Sequence, residues 1–146
     1  MIGLTALATA LSGPALAQDE SPHHVEIGVT LGTPGAFNFM AGYFNKRIGG
    51  RLTVGGSPDT GLGSLIGIQG MVGYEFDPAS RHNHVVGVTA GYMAGAFDYI
   101  YGGAAYSVRL QRGFYFESGW AYGVGSGNAF QLTIQIGYLG RVSFGE

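Results

Sequence analysis

The stretch His24-Val25-Glu26-Ile27-Gly28-Val29-Thr30-Leu31-Gly32 alternates strictly. Val25, Ile27, Val29 and Leu31 fall on one side, and His24, Glu26, Gly28, Thr30 and Gly32 on the other. A two-residue period predicts a β-strand with one apolar and one polar face. Seven further segments follow the same rule. Residues 36–44 set Phe37, Phe39, Ala41 and Tyr43 on one face, and 48–55 set Ile48, Gly50, Leu52 and Val54. In 62–76, Ile66, Ile68, Gly70, Val72, Tyr74 and Phe76 oppose Gly67, Gln69, Met71, Gly73 and Glu75. Residues 84–94 align Val86, Val88, Ala90 and Tyr92, and 99–110 align Ile100, Ala104, Tyr106, Val108 and Leu110 opposite Tyr99, Tyr101, Ser107 and Arg109. Residues 114–123 set Phe114, Phe116, Trp120 and Tyr122 against Tyr115, Glu117 and Gly119. The last segment, 129–141, sets Phe130, Leu132, Ile134, Ile136 and Tyr138 against Gln131, Thr133, Gln135 and Arg141. Turn residues separate the segments, among them Thr33-Pro34-Gly35, Ser57-Pro58-Asp59-Thr60-Gly61 and Gly125-Ser126-Gly127-Asn128. No segment has a helical period, so the pattern predicts an all-β chain of eight hairpin-linked antiparallel strands.

Composition decides which face turns inward. A soluble eight-stranded barrel would have to hold four to six bulky residues per strand in an interior only just wide enough for side chains. Its outer face would be mostly Gly, Thr, Gln and Ala. Charged residues make up 11% of the chain, against roughly 25% in soluble domains, and mean hydropathy is positive. Inverting the barrel removes the crowding. The bulky apolar set becomes a lipid-facing belt, and the small and polar set fills the lumen, with Gly28, Gly42, Gly67, Gly73, Gly87 and Gly91 leaving room for the larger inward groups. A helical membrane protein fits less well. Residues 118–140 carry no charge, but a helix there would cross the Gly-Ser-Gly-Asn turn and spread Gln131, Thr133 and Gln135 around its surface. Each interior glycine would also cost it about 1 kcal/mol.

The expected fold class is therefore an eight-stranded antiparallel up-and-down transmembrane β-barrel, with strands near the length of about 9–11 residues that a bilayer requires. Aromatic residues mark both expected interfaces. Tyr43, Tyr74, Phe76, Phe114 and Tyr138 lie toward one rim, and Phe37, Tyr92, Tyr122 and Phe130 toward the other. A net charge of −2 without a basic cluster excludes a nucleic-acid partner. The absence of cysteine excludes disulfides and thiolate metal sites. Residues 1–17 are apolar, contain Gly13-Pro14 and close on Ala15-Leu16-Ala17, the pattern of a cleaved secretory signal, although no Lys or Arg precedes Lys46. The expected organisation is a signal segment over 1–17, a short periplasmic segment over 18–23 and the barrel over 24–146.

The pattern over 24–144 resembles the small outer-membrane barrels of bacteria, such as the OmpA transmembrane domain and OmpX. The resemblance rests on strand pattern and length, and extends to Tyr138, Val142 and Phe144, which are similar to the C-terminal assembly signal of such proteins. It implies a bacterial outer-membrane location, with outer-membrane lipid, lipopolysaccharide and the barrel-assembly machinery as partners. It also implies periplasmic termini, with Lys46, Arg47, Arg81 and Arg112 in the turns on that side. The loops around Pro34, Pro58, Gly95 and Gly127 are short for the family, which disfavours an adhesin or receptor.

Inward parity collects Glu26, Arg51, Glu75, Arg109, Glu117 and Arg141. Three acids and three bases suit a paired network that plugs the lumen, because buried charges persist only when partnered. All six are expected nearer the periplasmic end. A turn centred near Gly113 is expected to set Arg109 opposite Glu117, and closure of the first strand on the last to bring Glu26 to Arg141. The same cluster could gate a narrow channel or small-molecule site. His23-His24 and His82-Asn83-His84 start strands on opposite walls, so solvation at the rim or headgroup contact is expected there and no metal site. Lipid-modifying enzymes occur among small outer-membrane barrels, but no nucleophile, base and orienting acid assemble here: Ser107 and Ser118 have no neighbouring histidine. No cofactor and no enzymatic activity are expected, only a structural or interaction protein of the envelope.

Overall fold

A computed structural model describes residues 23–58, 64–78, 80–95 and 98–144. The signal segment read over 1–17, most of the short segment after it and the core of the Pro58–Gly61 turn lie outside the described residues. Eight strands follow one another: β1 (His23–Gly32), β2 (Gly35–Asn45), β3 (Ile48–Ser57), β4 (Leu65–Glu75), β5 (Asn83–Gly95), β6 (Tyr99–Arg109), β7 (Phe114–Gly125) and β8 (Ala129–Phe144). Each pairs antiparallel with the next, and β1 pairs with β8, so the sheet closes into an up-and-down barrel without a free edge. The long uncharged run 118–140 is not a helix; it forms most of the β7–β8 hairpin.

Turn chemistry fixes the register. Lys46 takes a left-handed conformation, φ 57°, in the tight turn between Asn45 and Ile48. Gly113 does the same, φ 88°, where its N–H donates to the Leu110 carbonyl at 2.8 Å. A side chain is tolerated there only with strain, which glycine avoids.

The faces divide as the alternation predicts. Ile27, Val29 and Leu31 are exposed on β1, and so are Phe37 and Phe39, Leu52 and Val54, Ile66 and Ile68, Val86 and Val88, Ile100, Trp120, Leu132, Ile134 and Ile136 on the strands that follow. Glu26, by contrast, is 0% exposed. A soluble monomer seldom shows more than a few hundred Å² of contiguous apolar surface, yet here it encircles the barrel. The polar side chains of Thr30, Thr53, Gln69, Thr89, Ser107, Thr133 and Gln135 are buried with the lumen charges.

The lumen is less purely small and polar than the pattern suggests. Phe44, Met71, Val85 and Ala105 form one apolar cluster in it, and Met40, Tyr115 and Leu139 another. Such residues are accommodated because glycines stand opposite the larger ones. Gly91 lies beneath the Tyr101 ring, close enough that an added Cβ would stand 2.3 Å from Cζ. At the mouth between β1 and β2, buried Pro34 turns inward onto Gly67 of β4.

Candidate functional site

β1 and β8 register Glu26 directly against Arg141. Alternation then points both side chains into the lumen, where β3, β4 and β6, none of them paired with β1 or β8, supply the rest of the cluster. Glu26 Oε2 accepts from Arg51 Nε at 2.7 Å, and Oε1 accepts from Arg141 Nη2 at 3.0 Å. The same Arg141 Nη2 donates to Glu75 Oε1 at 2.6 Å, bridging β1 and β4 through one guanidinium. Arg109 Nε stands 3.7 Å from Glu26 Oε1, while its Nη2 donates to Asn83 Oδ1 at 3.2 Å. Five of the six charged residues read from the pattern thus meet in one cluster.

Glu26 is its hub, and Arg51 is the most deeply buried of the three guanidinium groups around it. The Arg51 guanidinium is 5.0 Å from the Phe44 ring centroid and 5.2 Å from that of Tyr115, and it donates through Nη1 to Ser107 Oγ at 2.7 Å. Carboxylate, hydroxyl and two aromatic rings take the place of water around a buried cation, which is the condition for keeping it charged. Arg51 can leave this position only by breaking charge-assisted hydrogen bonds.

Glu117 belongs to a second network. Gln69 Nε2 donates to its Oε1 at 2.8 Å and Gln135 Nε2 at 3.3 Å, while the Tyr115 hydroxyl donates to Oε2. Tyr101 OH donates to Gln69 Oε1 at 2.8 Å, and Thr30 Oγ1 to Gln135 Oε1 at 3.0 Å. Asn38 extends the chain to the Gly32 carbonyl at the mouth, at 2.9 Å. The expected Arg109–Glu117 pairing is not formed. The turn between β6 and β7 is centred on Arg112, one residue earlier than expected, so Arg109 pairs across with Tyr115 and Glu117 with Ser107. A shift of two positions along β7 is enough to separate the two charges.

His24 also departs from the expectation. It is not solvated at a rim but buried, stacked on Phe44 with ring centroids 5.0 Å apart, and its Nε2 lies 3.5 Å from Glu75 Oε2. The reason is parity: His24 shares the inward face with Glu26. His23, on the other face, meets the Tyr43 hydroxyl at 2.8 Å, and His84 meets that of Tyr106 at 2.5 Å. Among the described residues no group of three or more His, Cys, Asp or Glu is arranged to hold a metal ion.

No known protein family, characterised protein or solved structure matches this chain. Sequence reasoning did not single out Gln69, Tyr101, Tyr115 and Gln135. A signal existed for all four, since the alternation sets each of them on the inward face of its strand. The nine aromatics read as interfacial divide between the two ends. Tyr43, Tyr74, Phe76 and Phe114 are exposed near the turns at the end holding the charged cluster, and Tyr138 is half-buried beside Phe114. Phe37, Tyr92, Tyr122 and Phe130 are exposed near the other.

Proposed function

We propose that this chain spans a bacterial outer membrane as a small barrel with a plugged lumen, and serves as a non-enzymatic structural or interaction protein of the envelope. One observation carries it: apolar side chains encircle the outside while three carboxylates and three guanidinium groups are enclosed. In water that distribution is upside down, because exposed apolar surface and buried charge both raise the free energy. In a bilayer the outer face is solvated by acyl chains, and the closed sheet leaves no free strand edge, the requirement for crossing hydrocarbon. Outer-membrane lipid and lipopolysaccharide then meet the belt, and the barrel-assembly machinery inserts it.

Folding into detergent micelles tests this reading. The expected result is a β-type circular dichroism spectrum with heat-modifiable gel mobility, followed by recovery in the outer-membrane fraction of cells. A chain that stays soluble and monomeric without detergent would overturn it.

A second reading is favoured by one feature. Nε of Arg109 and Nε of Arg141 lack hydrogen-bond partners at the same end of the lumen, and His24 Nε2 and Glu75 Oε2 stand 3.5 Å apart, a spacing that suits ordered water within the cluster. Displacement of Arg51 would then open a narrow path. Planar-bilayer recordings separate the readings: silence supports the plug, and openings altered by Arg51→Ala support the gate.

A further inference from the structure

The exposed charges at the two ends of the barrel differ. Three hairpin turns close the end that holds the buried charge cluster. Lys46 and Arg47 lie between β2 and β3, Arg81 between β4 and β5, and Arg112 between β6 and β7, and all four are exposed. Asp77 is the one exposed acid among the described residues of that end. At the opposite end the described residues carry a single exposed charge, Asp98. The described residues of this chain, whose net charge is −2, thus present a cationic rim at one side of the apolar belt.

The placement says what this rim fits. The cations are not gathered on one loop, as a cleft for an acidic peptide would need. They recur every second strand around the perimeter, one set per turn, just beyond the exposed aromatics Tyr43, Tyr74, Phe76 and Phe114. Arg47 is drawn against the wall, where its Nη1 donates to Tyr74 OH at 3.1 Å and to the Phe76 carbonyl at 3.2 Å. That holds the guanidinium beside aromatic rings of the kind that sit at headgroup depth. A ring of cations flush with an aromatic girdle complements a plane of phosphates.

We propose that this rim is a docking surface for anionic phospholipid headgroups, with each turn contributing a guanidinium or ammonium group to phosphate. The proposal rests on the transmembrane reading above and adds lipid selectivity confined to one leaflet. A cation near an anionic surface favours binding by about fivefold at low salt, with screening over a Debye length.

The full chain reconstituted in phosphatidylcholine bilayers, with spin-labelled phosphatidylglycerol or phosphatidylcholine as probe, tests it. The motionally restricted fraction of the electron paramagnetic resonance spectrum should show phosphatidylglycerol preferred by about fivefold, falling at high salt. A variant with Lys46→Gln, Arg47→Gln, Arg81→Gln and Arg112→Gln should lose the preference. If that variant folds poorly, Arg81→Gln with Arg112→Gln, which spares the Arg47 hydrogen bonds, should lose part of it. Equal association of both lipids with the unmodified barrel, or a preference that survives these substitutions, overturns the proposal while leaving the transmembrane reading intact. A chain that never inserts, seen as mobility that heating does not change, overturns both.

Discussion

Glu26 and Arg141, 115 positions apart in the chain, meet across the seam between β1 and β8 through a hydrogen bond of 3.0 Å. The contact ties the first strand to the last at the point where the barrel closes, and Arg141 carries the link on to Glu75 of β4.

Removing Glu26 should therefore be costly. Glu26→Leu leaves Arg51, 5% exposed, without its carboxylate, and an unpaired buried charge typically costs about 3–5 kcal/mol. Val29→Leu, on the exposed face of the same strand, should change stability by no more than about 0.5 kcal/mol. Urea unfolding midpoints of the two variants in detergent measure the difference; equal tolerance would refute the inverted arrangement.

Tyr115→Phe keeps the ring beside Arg51 but removes the hydroxyl that donates to Glu117. Leaving a buried carboxylate oxygen short of a donor should cost about 1–3 kcal/mol. Gln69→Leu removes a different donor to the same carboxylate. Because both act on Glu117, the double variant should differ from the sum of the singles, and strict additivity in unfolding experiments would show that the network is not shared.

Two glycine replacements should behave oppositely. In Gly91→Ala the new methyl would press on the buried Tyr101 ring, straining its hydrogen bond to Gln69; a loss of about 1–3 kcal/mol is expected. Gly70→Ala meets nothing within 4 Å and should leave stability unchanged or raise it by about 0.5 kcal/mol. Thermal loss of the compact gel band ranks the two, and the reverse order would contradict the packing described.

The single tryptophan provides a direct probe of the belt. Trp120 is 69% exposed on the outer face of β7. In vesicles its emission should shift to the blue and be quenched by lipids brominated on the acyl chain, while aqueous iodide leaves it bright. Strong iodide quenching of the folded protein would place this face in water.

Much of this was legible in the sequence because β alternation is local. Glu26 and Ile27 are told apart by one step of the pleat, and strand limits followed from turn residues such as Thr33-Pro34-Gly35. What pattern could not give was the meeting of inward groups across the lumen. Arg51 reaches Glu26 two strands away and Ser107 on β6, contacts that depend on barrel tilt and stagger. The Arg109–Glu117 expectation failed for a smaller reason, a turn centred one residue earlier. His24 departs from the rim expectation because its parity with Glu26 turns it into the lumen, whatever its place at a strand start.

The seam has a consequence for how the molecule comes into being. Until β8 exists, β1 has no partner on one side, and every partial sheet ends in two rows of unanswered amide groups that invite pairing with other chains. Glu26 likewise remains without one of its guanidinium donors until nearly the whole polypeptide has been made. Closure joins the two ends of the chain, the kind of long-range pairing that slows folding. A truncated or prematurely halted chain would keep its edges open, and would present itself to chaperones and proteases as unfinished.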